Sequence, residues 1–208
     1  MMFIILNYNL SYFQTITLFL NAARDIDLSS TVLNSKDKVI VLAGRNIKLG
    51  ANAYSAITDP HEDAQDIQYA TSAITGNKGI SIASSGTLIT EGSSLKSEGD
   101  VTISSSGNIQ LGSLQTHFRK ESGSELEDLR KQISTEINSG NNLTLLSEGS
   151  ILFQASRLTA NKEMDIAAKG GFLYAQAMEE SSYYEEEKKK CNRWTLCITK
   201  KKYTKKFL

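Results

Sequence analysis

An apolar-x-apolar pair of residues recurs along this 208-residue chain at fixed intervals. Leu18-x-Leu20 returns as Ile80-x-Ile82 and again as Leu143-x-Leu145, with offsets of 62 residues (18 to 80) and 63 residues (80 to 143). Within each copy the pattern returns 21 residues later, for example at Val39-x-Val41 (18 to 39). A repeat of fixed period predicts a solenoid, in which each unit buries its apolar face against neighbouring units.

The spacing of two inside each pair is the period of a β-strand. The pairs are separated by polar and glycine steps, such as Gly99-Asp100 and Gly107-Asn108, at which chains bend. Strands this short cannot bury one face alone, so residues 21 apart are expected to stack about 4.8 Å apart in aliphatic ladders. The sequence therefore predicts an all-β fold, a right-handed parallel β-helix with two coils in each copy. The residues expected in these ladders are Leu18, Leu33, Val39, Ile47, Ile80, Leu95, Val101, Ile109, Leu143, Leu158, Met164 and Phe172.

The repeat divides the chain into a β-helix over residues 16–178, an atypical start and a tail. Residues 1–15 are apolar and uncharged but lack a basic region and a small-residue cleavage site, so a truncated beginning or a cap is expected. The intervals 50–77 and 112–139 are more charged and lose the alternation. They predict excursions from the coil, as a short amphipathic helix, a protruding hairpin or a third coil. Residues 179–208 are expected to form an irregular charged tail.

Charge is balanced over the whole chain, with 23 basic and 23 acidic residues, which gives no reason to expect nucleic acid as a specific partner. The tail differs, because nine basic residues and no acidic residue follow from Lys188 onward. A basic run of this kind is either a solvated end or a contact for an anionic surface.

The units Gly99-Asp100-Val101-Thr102-Ile103 and Gly140-Asn141-Asn142-Leu143-Thr144-Leu145 resemble the haemagglutinin repeats of filamentous haemagglutinins and of contact-dependent growth-inhibition exoproteins. The resemblance covers roughly residues 16–178. It implies a virulence-type protein of a Gram-negative bacterium, secreted by the two-partner route and exposed on the cell surface as an adhesin or as a carrier of a C-terminal toxin. The implied partners are the rest of a larger exoprotein, its outer-membrane transporter and the envelope of a target cell.

Cys191 and Cys197 stand six residues apart in the tail. In an oxidising exterior they could close a hairpin disulfide, and the alternative is a pair of free thiols. A zinc site is not expected, because His61 and His117 lie in other intervals and no second cysteine pair completes four ligands. His61 is interpreted as part of a solvated turn. No metal and no cofactor are therefore predicted.

The sequence also lacks the patterns of common enzymes. No serine stands in Gly-x-Ser-x-Gly, and no Gly-Lys-Ser or Gly-Lys-Thr follows a glycine-rich loop. The prediction is a structural module with no catalytic residue and no small-molecule substrate. Two alternatives remain: a polysaccharide-active β-helical enzyme, which would need convergent carboxylates, and a non-functional fragment of an exoprotein gene. Ser81, Thr102 and Thr144, expected on the outer face, carry hydroxyls rather than carboxylates.

Overall fold

A computed structural model describes residues 3–4, 16–57, 64–122, 125–192 and 195–207 of the chain. In the tail, the side chains of 187–192, 195–201 and 205–207 lie outside this description. Every regular element among the described residues is a β-strand.

The chain divides into two compact units, which it visits alternately. The coil unit consists of Met1–Asn52, Ala70–Ser113 and Ser134–Ala177. The hairpin unit consists of Ala53–Tyr69, Leu114–Ile133 and Met178–Leu208.

The coil unit contains three sheets, here called A, B and C, whose successive strands come from successive coils. Sheet A contains β1 (Phe3–Ile4), β2 (Leu18–Ala22), β5 (Lys38–Ala43), β10 (Gly79–Ser84), β13 (Asp100–Ser105), β18 (Leu143–Ser147) and β21 (Met164–Ala168). Sheet B contains β3 (Ile26–Asp27), β6 (Ile47–Leu49), β11 (Leu88–Glu91), β14 (Ile109–Gly112), β19 (Ile151–Gln154) and β22 (Leu173–Gln176). Sheet C contains β4 (Val32–Ser35), β9 (Ala73–Gly76), β12 (Ser94–Ser97), β17 (Glu136–Ser139) and β20 (Arg157–Ala160).

Pairing in these three sheets is parallel, apart from β1, which runs antiparallel to β2. Ile80 pairs with Val39 on one side and with Val101 on the other, and Val101 pairs with Leu143. The residues that the sequence repeat aligned are therefore neighbours across the sheet. This arrangement confirms the parallel β-helix.

Inward-facing aliphatic side chains form the core of the coil unit, and Val39, Ile47, Ile80, Leu95, Val101, Ile109 and Leu143 are buried there. Alternation along each strand explains the pattern, because Val101 and Ile103 are buried while Thr102 between them is only partly covered. Leu18, Leu33 and Leu158 lie in outer coils and pack against the core while partly exposed.

Two expected ladder residues are exposed in the last coil. Met164 pairs with Leu143 as expected but is 43% exposed, because no further described strand pairs with β21. For Phe172 the expectation was wrong: it is 82% exposed, and Leu173 pairs with Ile151 instead. The corner before it contains Gly170-Gly171 and is one residue longer than the preceding one, since Ala168 to Leu173 is five steps and Ser147 to Ile151 is four. The extra residue shifts the register by one position, which reverses the face of a side chain.

The hairpin unit is built from a mainly antiparallel six-stranded sheet. Its strands are β7 (Ala51–Tyr54), β8 (Ala64–Thr71), β15 (Leu114–Ser122), β16 (Glu125–Ile133), β23 (Ser181–Asn192) and β24 (Thr195–Phe207). Of the forms considered for interval 112–139, the structure shows the hairpin. The tail, expected to be irregular, is a second regular hairpin, since Ser181 pairs with Phe207 and Cys191 with Cys197.

Candidate interaction surface

The hairpin unit carries charged and apolar side chains side by side on long, partly exposed strands. Phe118 pairs with Leu129, and Leu114 pairs with Ile133, so apolar side chains meet across β15 and β16. Charged residues occupy neighbouring positions, with Arg119 opposite Asp128. Cross-strand pairs of this kind stabilise an antiparallel sheet without a closed core. The arrangement presents a surface that mixes charged and apolar groups.

Asp128 contacts two basic side chains of this surface through one carboxylate oxygen. Its Oδ1 lies 3.1 Å from His117 Nε2 and 3.5 Å from Arg130 Nε. His117 and Arg130 are themselves paired across the two strands. The sequence alone predicts no partner for His117, because its repeat does not set the register of this hairpin. The turn signal Ser122-Gly123-Ser124 at the middle of the interval could have supplied that register.

Two acidic side chains in and just before β23 accept hydrogen bonds, one from within β23 and one from β16. The Tyr183 hydroxyl donates to Glu185 Oε2 at 2.8 Å. This hydrogen bond to a carboxylate, together with partial burial, raises the pKa of Tyr183 above its usual 10.0. The backbone N–H of Gln132 donates to Glu180 Oε1 at 2.7 Å. Acidic residues of the tail therefore have defined structural partners.

Asp66 organises the first excursion. It is buried, at 9% exposure, in β8. Its Oδ2 accepts a hydrogen bond from the Ala56 N–H at 2.7 Å, and its Oδ1 accepts one from Gln68 Nε2 at 2.6 Å. Both oxygens are thus occupied by donors of the same hairpin, which is a structural role rather than a reactive one.

An open groove of about 370 Å³ lies on the coil unit. Leu42 and Leu146 belong to its walls, and Ala83 and Ser104 lie between them. Its lining includes Glu148, whose Oε1 lies 2.9 Å from Lys169 Nζ. Ser81, Thr102 and Thr144 occupy one register position on the outer side of sheet A. The described lining of this groove offers no convergent pair of carboxylates of the kind that glycoside hydrolysis uses.

Metal-ligand clusters are also absent within the described residues, where no group of three or more His, Cys, Asp or Glu side chains converges. His61 lies outside the described residues. Cys191 and Cys197 pair across β23 and β24, but their side chains lie outside the description, so the disulfide stays a prediction. None of the described residues forms a helix that is long and apolar enough to cross a membrane.

Part of the chain, including most of β15, β16 and β23, matches a known family model. Residues 117–193 match the family model described as Hemagglutinin repeat. This segment of the chain is similar to a hemagglutinin repeat. The matched segment begins within β15 and ends just beyond β23, so it covers most of the interval 113–134, the two coils that follow it and strand β23. Comparisons with curated proteins and with solved structures found no match.

The resemblance to haemagglutinin repeats that the sequence predicted is thereby confirmed over the matched residues 117–193.

Proposed function

We propose that this chain is a structural segment of a surface-exposed exoprotein of the filamentous haemagglutinin type, in which the coil unit serves as a rigid stalk. The observation that carries the proposal is the continuous core of the coils. Ile82, Ile103 and Leu145 occupy one ladder position in successive coils, and each is fully buried. Side chains stacked in this way resist separation of the coils, because each inner strand, such as β10 or β13, is bonded to the coils on both sides.

The stalk would hold adhesive or toxic parts of a larger exoprotein away from the cell that makes it. The exoprotein would reach the surface through a dedicated outer-membrane transporter by the two-partner route. The hairpin unit supplies the chemistry for contact with a target envelope, since it offers exposed cations such as Arg119 and Arg130 beside apolar strand positions. Contact-dependent inhibition and adhesion both fit this role.

Single-molecule force spectroscopy on the 208-residue chain tests the stalk. A coil of 21 residues, the separation of Ile80 and Val101, should release about 70 Å of chain when it detaches. We expect a series of force peaks with increments near this length, interspersed with the release of hairpins. A single extension at low force would contradict the rigid coil.

Surface exposure is tested separately on intact bacteria that produce the protein. Antibodies raised against the chain should label these cells without permeabilisation. Labelling only after the outer membrane is opened would contradict the proposed location and leave the mechanical result unaffected.

A further inference from the structure

Each excursion leaves the coil unit at the corner between sheet B and sheet C, and the same corner occurs in two forms. In the plain form a single residue with a left-handed backbone precedes the hydroxyl residue that leads into the sheet C strand, as Gly92 precedes Ser93. These residues are Ser30, Gly92 and Ala155, with φ of 53°, 59° and 45°. They occur in alternate coils. In the coils between them, residues 51–71 and 113–134 take the place of that one residue.

A ladder of hydroxyl residues follows this corner in the five coils that contribute a strand to sheet C, whether or not an excursion is present. In sheet C, the first N–H of each strand after β4 donates to the carbonyl of the ladder residue in the coil before it, for example Ala73 to Thr31 and Ser94 to Ser72 at 2.9 Å. The same pattern continues from Glu136 to Ser93 and from Arg157 to Thr135. The ladder residues are Thr31, Ser72, Ser93, Thr135 and Ser156.

The backbone carbonyl of the last coil residue before each excursion is contacted by two hydrogen-bond donors, one from the coil below and one from the residue at which the chain returns. The Gly50 carbonyl accepts the N–H of Ser30 at 3.2 Å and lies 2.6 Å from the hydroxyl of Ser72, which also contacts the Leu28 carbonyl of the coil below. Ser30 belongs to the plain corner of the coil below, and Ser72 is the residue at which the chain returns. The last coil residue before the excursion is thus bonded to the first ladder residue after it.

The second excursion repeats this arrangement. The Gly112 carbonyl accepts the N–H of Gly92 at 3.1 Å and the hydroxyl of Thr135 at 2.6 Å. Thr135 is fully buried, and its hydroxyl also lies 2.9 Å from Thr90 Oγ1. A Cβ added to Gly112 would lie 2.9 Å from the Thr90 carbonyl oxygen, which is closer than Cβ atoms normally approach. Two excursions of different sequence are therefore closed by the same contact, between the carbonyl before the excursion and the hydroxyl after it.

We infer that this corner is a built-in insertion site, at which the returning hydroxyl closes the coil independently of the excursion that precedes it. The inference rests on the coil unit alone and does not depend on the proposed function. It implies that excursions of other lengths and sequences can be exchanged at Ser72 and Thr135 without change to the coil.

Deletion of residues 113–133 tests the insertion site. The deletion joins Gly112 to Ser134-Thr135 and reproduces the plain spacing Glu91-Gly92-Ser93. Ser134 then takes the left-handed position that a serine, Ser30, already occupies. We expect amide hydrogen exchange in β13, β14, β17 and β18 to stay within about threefold of the intact chain.

The matched control deletes one residue more, 113–134, so that Gly112 joins Thr135 directly and the left-handed residue is missing. We expect exchange in β17 to accelerate at least about tenfold in this variant. Equal behaviour of the two deletions, or loss of coil protection in both, would overturn the inference.

Point substitutions in the full chain provide a test that needs no deletion. Thr135→Val keeps the shape but leaves the buried Gly112 carbonyl without its hydroxyl donor, so the melting temperature should fall by about 4–8 °C. Thr135→Ser keeps the donor and should lose less than half as much. Equal losses in the two variants would show that the hydroxyl does not close the corner.

Discussion

The coil unit and the hairpin unit use β-strands in opposite ways. Coil strands are two to six residues long, pair in parallel apart from β1 and bury alternate aliphatic side chains, as in β13. The hairpin strands β15, β16, β23 and β24 are nine to thirteen residues long, pair antiparallel and carry many charges. A coil strand gains its stability from the coils above and below, whereas a hairpin strand gains it from cross-strand pairs next to solvent. The coil therefore constrains its sequence more tightly.

Both units nevertheless gain the same number of strands in each sheet from each of the first two copies of the repeat. Each of these copies adds two strands to each coil sheet and two strands to the hairpin sheet, which is about 9.6 Å in either case at the usual strand spacing. The excursions differ by one residue, 51–71 against 113–134, and this accounts for the offsets of 62 and 63 residues between copies. A sequence can vary in the hairpins and still preserve the period of the coil.

The largest effect should come from a charge placed in the coil core. Ile103→Asp puts a carboxylate between Ile82 and Leu145, where Ile103 is fully buried, and should lower the melting temperature by about 10–20 °C. Thr102→Asp is the matched control, because Thr102 faces outward in the same strand and should change the melt by about 2 °C or less. Similar melting temperatures for the two variants would contradict the assignment of Ile103 to the buried face and Thr102 to the outer face.

Truncations compare the two units directly. Leu95→Ala removes a fully buried side chain between Ile74 and Ile137, and should cost about 2–5 kcal/mol of local opening free energy. Leu129→Ala removes a half-buried side chain from β16 and should cost about 1 kcal/mol. Hydrogen exchange in the flanking strands measures both values. A cost at Leu129 equal to that at Leu95 would indicate a closed core in the hairpin unit.

The smallest expected effect concerns pH. The Thr17 hydroxyl donates to Asp37 Oδ2 at 2.7 Å, and Lys78 Nζ lies 3.3 Å from Oδ1; the hydrogen bond from Thr17 is the main cause that lowers the pKa of Asp37 below 3.8. A carboxyl whose pKa is lowered by folding stabilises the fold above its unfolded pKa, and this contribution is lost as the pH falls through the folded value. The difference in melting temperature between the wild type and Asp37→Asn should therefore shrink below about pH 4. A difference that stays constant from pH 6 to pH 3 would contradict it.

The sequence by itself determined the coil, because every rung of a ladder meets the same environment and so requires the same kind of residue at the same interval. That requirement made Val101, Leu95 and their counterparts recognisable before any coordinates, and it failed only where Gly170-Gly171 lengthened a corner ahead of Phe172. The tertiary structure alone decided the form of the excursions, the partner of His117 and the closure at Thr135. Those contacts join residues whose spacing along the chain has no fixed period, so no repeat in the sequence records them.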